Sequence, residues 1–203
     1  MAAVPQPARW VVASGNPGKL REFAALLQGS GIEAIPQGAF GIGDVEETGL
    51  TFIENALLKA RHAARCSGLP ALADDSGLCV DALDGAPGLY SARYAGTHGD
   101  SAANVARLLD ALRGIDEPQR GASFHASVVL LRHAEDPRPV VAEGAWTGRI
   151  ATRARGDGGF GYDPVFFDPL HAQTAAEMPP ALRNRISHRA QALARLRARL
   201  DGA

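Results

Sequence analysis

Ala73-Asp74-Asp75-Ser76-Gly77-Leu78 places two adjacent carboxylates where a short apolar segment, Leu69 to Ala73, runs into residues of turn composition. Like charges this close rarely both stay ionised unless a cation or a proton separates them. A hard divalent cation such as Mg2+ takes oxygen ligands and bridges to phosphate, which makes the pair a candidate metal site. Read alone, Asp-Asp-Ser-Gly is a solvated turn. The local expectation is strand, turn, strand, and the companions of the pair decide what it does.

Upstream, Trp10 to Ala13 reads as a short buried strand, followed by the polar loop Ser14-Gly15-Asn16-Pro17-Gly18. Leu20, Phe23, Leu26 and Leu27 then recur at helical spacing within Lys19 to Gln28, with Pro17 in the first turn and Gly29 at the end. A second strand is expected at Glu33 to Ile35, a glycine-rich acidic loop at Phe40 to Gly49, and a long amphipathic helix at Thr51 to Cys66, closed by Ser67-Gly68. Downstream come an ordered loop over Asp84 to Gly99 and a helix over Ser101 to Arg113. Strands are expected at Phe124 to His133, Val140 to Ile150 and Pro164 to Phe167, and a basic-faced helix at Ser187 to Leu200. Helices alternate with strands and one hairpin is inserted, so the class is α/β with a mixed sheet.

The 203 residues are 46% hydrophobic, enough for one core or for two lobes sharing a cleft. A net charge of −1 gives no basic excess for a nucleic-acid partner. Two cysteines, Cys66 and Cys79, make no disulfide framework and no metal-ligand spacing. Met1 to Ala8 reads as a short N-terminal extension without the features of a signal peptide, and no apolar run is long enough to span a bilayer. These features predict a soluble cytoplasmic protein with a single domain over residues 9–203.

Five constellations carry chemistry. In Ser14-Gly15-Asn16-Pro17-Gly18-Lys19 a strand enters a glycine loop and a helix N-terminus, where backbone N–H groups and the helix dipole favour an anion and Lys19 adds a point charge. It lacks the Walker A spacing. Glu46 and Glu47 precede a helix that carries Asn55 and Lys59 four apart on one face, a candidate wall for metal and phosphate or an ordinary surface ion pair. Asp74 and Asp75 can lie near those glutamates, and such a convergence would need a metal among the charges. In Gly158 to Pro164, glycines permit close backbone approach to a flat ligand, Phe160 could stack on a base and Asp163 could accept from a ring N–H. Ser187-His188-Arg189 offers donors for a carbonyl oxygen, or a capped helix start with solvated neighbours.

These five, in this order, resemble the inosine triphosphate pyrophosphatase family, nearest to its bacterial branch, over nearly the whole chain after Arg9. The family's opening stands as Ser14 to Lys19, and its acidic loop and helix as Glu46 to Ala56 with Lys59. Its ADDSGL run is Ala73 to Leu78, and the stretch Gly85 to Tyr94 is equally typical. Phe160 to Pro164 and Ser187 to Arg189 complete the set. The resemblance implies a long twisted mixed sheet with flanking helices in two lobes around a central cleft. It also implies a homodimer and a Mg2+-dependent hydrolysis of noncanonical purine nucleoside triphosphates (ITP, dITP, XTP, dXTP) to monophosphate and pyrophosphate.

Carried over by position, Ser14, Gly15, Asn16, Pro17, Gly18, Lys19 and Lys59 would hold the triphosphate. Glu46 or Glu47, with Asp74 and Asp75, would hold Mg2+, and Asp75 would activate water. Ser76, Phe160, Gly161, Tyr162, Asp163, His188 and Arg189 would bind the nucleoside and read its 6-oxo group. Arg183 stands where the family usually has lysine, and a guanidinium stacks and forks differently from an ammonium. Met178-Pro179-Pro180 reads as a stiff loop before it. Two rival readings are a Maf-type pyrimidine nucleotide pyrophosphatase, against which the Gly-Phe-Gly-Tyr-Asp and Ser-His-Arg motifs argue, and a non-catalytic nucleotide-binding module. The intact acidic cluster argues against the module.

Overall fold

Ala71–Val80 form one uninterrupted strand through the Asp pair, not a strand, a turn and a strand. Gly77 lies within this extended backbone. Turn propensity is a local preference; here it is outweighed by ammonium partners for both carboxylates, described below, and by the buried setting of the strand.

The computed structural model describes residues 8–201. Along the chain run β1 (Ala8–Val12), α1 (Pro17–Leu27), β2 (Ile32–Pro36), α2 (Phe52–Ser67), β3 (Ala71–Val80), α3 (Ser101–Ala111), β4 (Gly121–Leu131), β5 (Val140–Ile150), β6 (Phe166–Asp168), β7 (Gln173–Thr174), α4 (Pro180–Ile186) and α5 (His188–Asp201). The expected extension at residues 1–8 falls outside the described residues except for Ala8, which already opens β1. The sheet order is β2-β1-β3-β4-β5-β6-β7. β1 pairs in parallel with β2 and β3, whereas β6 pairs antiparallel with β5 and β7, so the sheet is mixed as expected. Among the described residues no helix is long and apolar enough to cross a membrane.

Two compact units divide the chain. One contains the described residues up to Asp75, with Val128–Ala142 and the chain from Arg195 onward; the other contains Ser76–Ser127 and Glu143–Ala194. In the first unit, Ala56, Ala60, Ala63 and Ala64 of α2 are buried with Val11, Ala71, Ala73, Val129 and Leu131. Small side chains along one face let a helix approach a sheet closely. Thr51 and Glu54 form a capping box: Thr51 Oγ1 accepts from the Glu54 N–H at 3.2 Å, and the Glu54 carboxylate accepts from Leu50 N–H and Thr51 Oγ1. At its far end Gly68, φ +69°, supplies the left-handed residue that ends α2.

The β4–β5 connection is closed by Asp136, whose side chain is 2% exposed. Its carboxylate accepts from Arg132 Nε and Nη2 at 2.8 and 2.9 Å and from the N–H groups of Arg132 and Arg138. The Arg132 guanidinium and these N–H groups hold the carboxyl well below the usual carboxylate range.

The second unit is built on an aromatic core. Phe124 and Phe166 lie 4.6 Å apart and Trp146 meets Phe166 edge-on at 5.0 Å. Trp146 Nε1 donates to Asp168 at 2.9 Å, which satisfies its buried N–H. β5 alternates buried Ala142, Gly144 and Trp146 with exposed Glu143, Ala145 and Thr147, the pattern of a half-buried strand. Gly144 is required there: a Cβ would run into the His188 carbonyl and the Ala192 N–H of α5.

Differences from the sequence expectation are local. The strand expected at Pro164 to Phe167 begins two residues later, and β7 adds a short partner. The stiff loop at Met178 to Pro180 is a helix entrance instead. Pro180 opens α4, where a missing N–H costs nothing. Ser187 separates α4 from α5.

Two outcomes follow from this packing. Gly144→Ala should lower stability by roughly 1–3 kcal/mol by overpacking, read as a reduced thermal midpoint. Asp136 has a depressed folded pKa, so its contribution is complete above the ordinary carboxylate range and fades as pH falls. Asp136→Asn should therefore unfold earlier than wild type at neutral pH, with the gap narrowing below about pH 4 in denaturant titrations.

Candidate active site

The chain leaves β1 through Ser14–Lys19, winds through α1 to β2, and returns past β1 to β3 by way of α2. That reversal brings the start of α1, the middle of α2 and the Asp pair together in the first unit. Asn16 caps α1, its Oδ1 accepting from the N–H groups of Gly18 and Lys19 at 2.8 and 3.2 Å. Ser14 Oγ accepts from the Asn16 N–H. Two of the N–H groups expected to await an anion are thus held by the cap. What the loop presents to an anion is the dipole end, the exposed Gly15–Pro17 segment and the Lys19 ammonium.

Lys19 Nζ lies 3.2 Å from Asp74 Oδ2, whose side chain is fully buried. Lys59 Nζ bridges Glu47 Oε1 at 2.9 Å and Asp75 Oδ1 at 2.8 Å. Asn55 Nδ2 lies 3.3 Å from Asp75 Oδ2. Three carboxylates are therefore gathered around two ammonium groups. Burial pushes the Asp75 carboxyl above its usual range, against the pull of Lys59 and Lys19, and Glu47 adds to the rise. Burial alone would lower the Lys59 ammonium, but Asp75, Asp74 and Glu47 together hold it above its ordinary value.

Of the two glutamates, Glu47 joins this cluster and Glu46 is exposed. The expected convergence of carboxylates on one another is not what the structure shows. The lysines stand between them, and among the described residues no group of three or more His, Cys, Asp or Glu side chains forms a ready metal cage.

The nucleoside-binding candidates lie in the second unit. Arg189 is 1% exposed and donates from Nη2 to Ser76 Oγ at 3.0 Å. The His188 ring stacks on Phe124 at 4.9 Å with planes 13° apart. Ser187 Oγ accepts from the Ala190 N–H and caps α5. Asp163, proposed from sequence as a reader of a base, accepts from the Phe160 N–H at 3.1 Å and faces Arg183 Nη1 at 3.8 Å. Its carboxylate fills the space a Cβ on Gly159, φ +76°, would need. Arg183 Nη1 also donates to the Ala175 carbonyl at 3.4 Å. Tyr162 is buried, and its hydroxyl donates to the Ser91 carbonyl at 2.9 Å; burial pushes the phenol up, with Tyr94 adding to it. Phe160 remains half-buried, and Gly161 is left-handed with φ +62°.

Two residues carry more than their sequence reading suggested. Ser91 Oγ accepts from the Leu78 N–H of β3 at 2.9 Å and donates to the Gly88 carbonyl, while its own carbonyl holds Tyr162. The only sequence signal was its place in Gly85 to Tyr94. Asn55, read as a neighbour of Lys59, touches Asp75 directly.

Fold and site together define an α/β protein with a cluster of buried carboxylates and ammonium groups beside a helix N-terminus. The Ham1 family model matches residues 10–199, and the chain belongs to that family. It is 63% identical over 190 residues to the dITP/XTP pyrophosphatase of Xanthomonas oryzae pv. oryzae, covering 94% of this chain and 96% of that protein. It is 56% identical over 183 residues to the dITP/XTP pyrophosphatase of Yersinia pseudotuberculosis, covering 90% and 93%. The solved HAM1 protein of Coxiella burnetii superposes with a TM-score of 0.88 at 49% identity, covering 97% of this chain and all of that one. The Staphylococcus aureus Ham1 protein gives 0.83 at 39% identity, covering 96% and 98%. These matches bear out the family resemblance and the mixed-sheet architecture.

The charge cluster has a direct test. Lys59→Met keeps the stem but leaves Asp75 and Glu47 without their shared cation, so it should cost roughly 3 kcal/mol in thermal unfolding.

Proposed function

We propose that this protein hydrolyses the α–β phosphoanhydride of noncanonical purine nucleoside triphosphates, ITP, dITP, XTP and dXTP, giving the monophosphate and pyrophosphate. The observation that carries this is Asp75: a buried carboxylate whose two oxygens are held by Asn55 and Lys59 of one helix, next to Asp74 and its Lys19 partner. A dITP/XTP pyrophosphatase 63% identical to the chain supports the same substrate class.

In this reading Ser14, Gly15, Asn16, Pro17, Gly18, Lys19 and Lys59 receive the triphosphate. Water attacks the α-phosphorus, the bond to the bridging oxygen breaks, pyrophosphate leaves, and the water's proton passes to Asp75. Lys19 and Lys59 offset charge on the leaving group. Glu47, Asp74 and Asp75 are hard oxygen donors that would hold a divalent cation in place of the lysine ammonium groups they now face, with Glu46 as a further donor at the loop. When bound by these residues, Mg2+ would supply positive charge to offset that of the triphosphate.

Arg189 can only donate, and beside it His188 offers a second donor, so the pair favours the 6-oxo group of hypoxanthine and xanthine. Adenine presents an amino group there and leaves such donors unpaired, a loss that can reach ~10⁴-fold in specificity. Ser76 orients Arg189, Phe160 offers a ring face, and Gly161, Tyr162, Asp163 and Arg183 shape the loop that carries it. The proposed enzyme is one pyrophosphatase domain from residue 9 onward, forms a homodimer, and works in the cytoplasm on the nucleotide pool, without nucleic-acid or membrane partners.

The test is product analysis with ITP, dITP, XTP, ATP, GTP and dTTP, with and without Mg2+. Monophosphate and pyrophosphate from the hypoxanthine and xanthine nucleotides, only with metal, is the expected result. Turnover confined to dTTP would replace it with a pyrimidine-directed enzyme. Asp75→Asn should lower kcat by about 10³-fold while leaving the fold intact by circular dichroism; wild-type turnover in that variant would remove Asp75 as the base.

A further inference from the structure

Asn55 is 2% exposed, and both ends of its amide are engaged. Oδ1 accepts from the Gly49 N–H at 2.8 Å, and Nδ2 faces Asp75 Oδ2 at 3.3 Å. A backbone N–H can only donate, so the Gly49 contact decides which end of the amide is oxygen. The NH2 group is then necessarily the end that meets the carboxylate. Lys59, one turn later on α2, takes the other oxygen of Asp75 at 2.8 Å. The two oxygens of one carboxylate are thus held by two residues of one helix face, spaced i and i+4.

The Gly49 contact reaches in a second direction. Gly49 ends the acidic loop that carries Glu46 and Glu47. A Cβ there would stand 2.5 Å from Glu54 Cβ and 2.7 Å from Asn55 Oδ1, so the loop approaches α2 as closely as its backbone allows.

We propose that Asn55 is a positioning residue for the reaction: it sets the rotation of the Asp75 carboxylate and ties the loop bearing Glu47 to it. A carboxylate held only by Lys59 can turn about its Cβ–Cγ bond, because an ammonium is a point charge that accepts many approach directions. A second donor on the other oxygen removes that freedom. The base then presents its remaining lone pairs in one direction, which is the condition for efficient proton transfer. This inference rests on the assignment of Asp75 as the base.

The experiment is steady-state kinetics with ITP and Mg2+ on Asn55→Asp, Asn55→Ala, Asp75→Asn and the exchanged pair Asn55→Asp/Asp75→Asn, each with its thermal midpoint. Asn55→Asp keeps the volume and the acceptor for Gly49 but turns a like charge toward Asp75. It should lower kcat by about 100-fold with KM changed less than about 3-fold. Asn55→Ala also frees the loop, so KM should rise together with a fall in kcat. The exchanged pair restores an amide–carboxylate contact, so its midpoint should return toward wild type while kcat stays at the Asp75→Asn level. Asn55→Asp with wild-type kcat, or variants that lose only thermal stability while the folded enzyme turns over normally, would overturn the inference. An inactive Asp75→Asn beside a fully active Asn55→Asp overturns it alone, whereas an active Asp75→Asn overturns it together with the base assignment.

Discussion

The structure depends on buried carboxylates finding ammonium partners. Asp74 and Asp75 sit inside a strand, where unpaired charge would cost several kcal/mol per ion. Lys19 and Lys59 remove that penalty from two different helices. Both are long side chains whose stems are covered and whose charged ends reach the strand. In the proposed function the cations that stabilise the fold are also the ones a triphosphate would meet. Stability and binding would then draw on one set of charges.

The second unit solves a different problem. Its donors, Arg189 and His188, are buried, and a buried guanidinium needs acceptors and stacking partners to hold its place. Ser76 supplies one acceptor, and Phe124 supplies a ring against His188. Around them the glycine loop is fixed by its own carboxylate, since Asp163 bonds the Phe160 N–H, and Tyr162 anchors it to Ser91. Because Ser91 also holds the Leu78 N–H, the strand following Ser76 and the loop carrying Phe160 share one anchor.

Much of this was legible in the amino-acid order. Helical spacing placed α1, the amphipathic pattern placed α2, and the expected strand Val140 to Ile150 matches β5 in its bounds, because those signals are local. The strand β3 was not legible, since Asp-Asp-Ser-Gly has the composition of a turn and the lysines that overrule it lie 55 and 16 residues away. α4 was hidden by Pro179-Pro180, which reads as a breaker unless one knows that a helix starts there. In the site, the phosphate-side residues stood out by charge. The internal duties of Asp163 and Tyr162 did not, because a carboxylate that bonds a backbone N–H and one that reads a base look the same in a sequence. Asn55 was visible only as a neighbour on a helix face.

Consecutive residues of an extended strand point to opposite faces of a sheet, and Asp74 and Asp75 take their partners from α1 and α2 respectively. Ala71 to Asp75 are all buried, so hydrophobic alternation cannot tell one face from the other. A one-residue slip of β3 would cost little in apolar burial there, yet it would turn each carboxylate away from its lysine. The adjacent aspartates thus discriminate the correct alignment of a central strand from its nearest misfolded neighbour, and the chain proofreads its register with the same two charges proposed to serve the reaction.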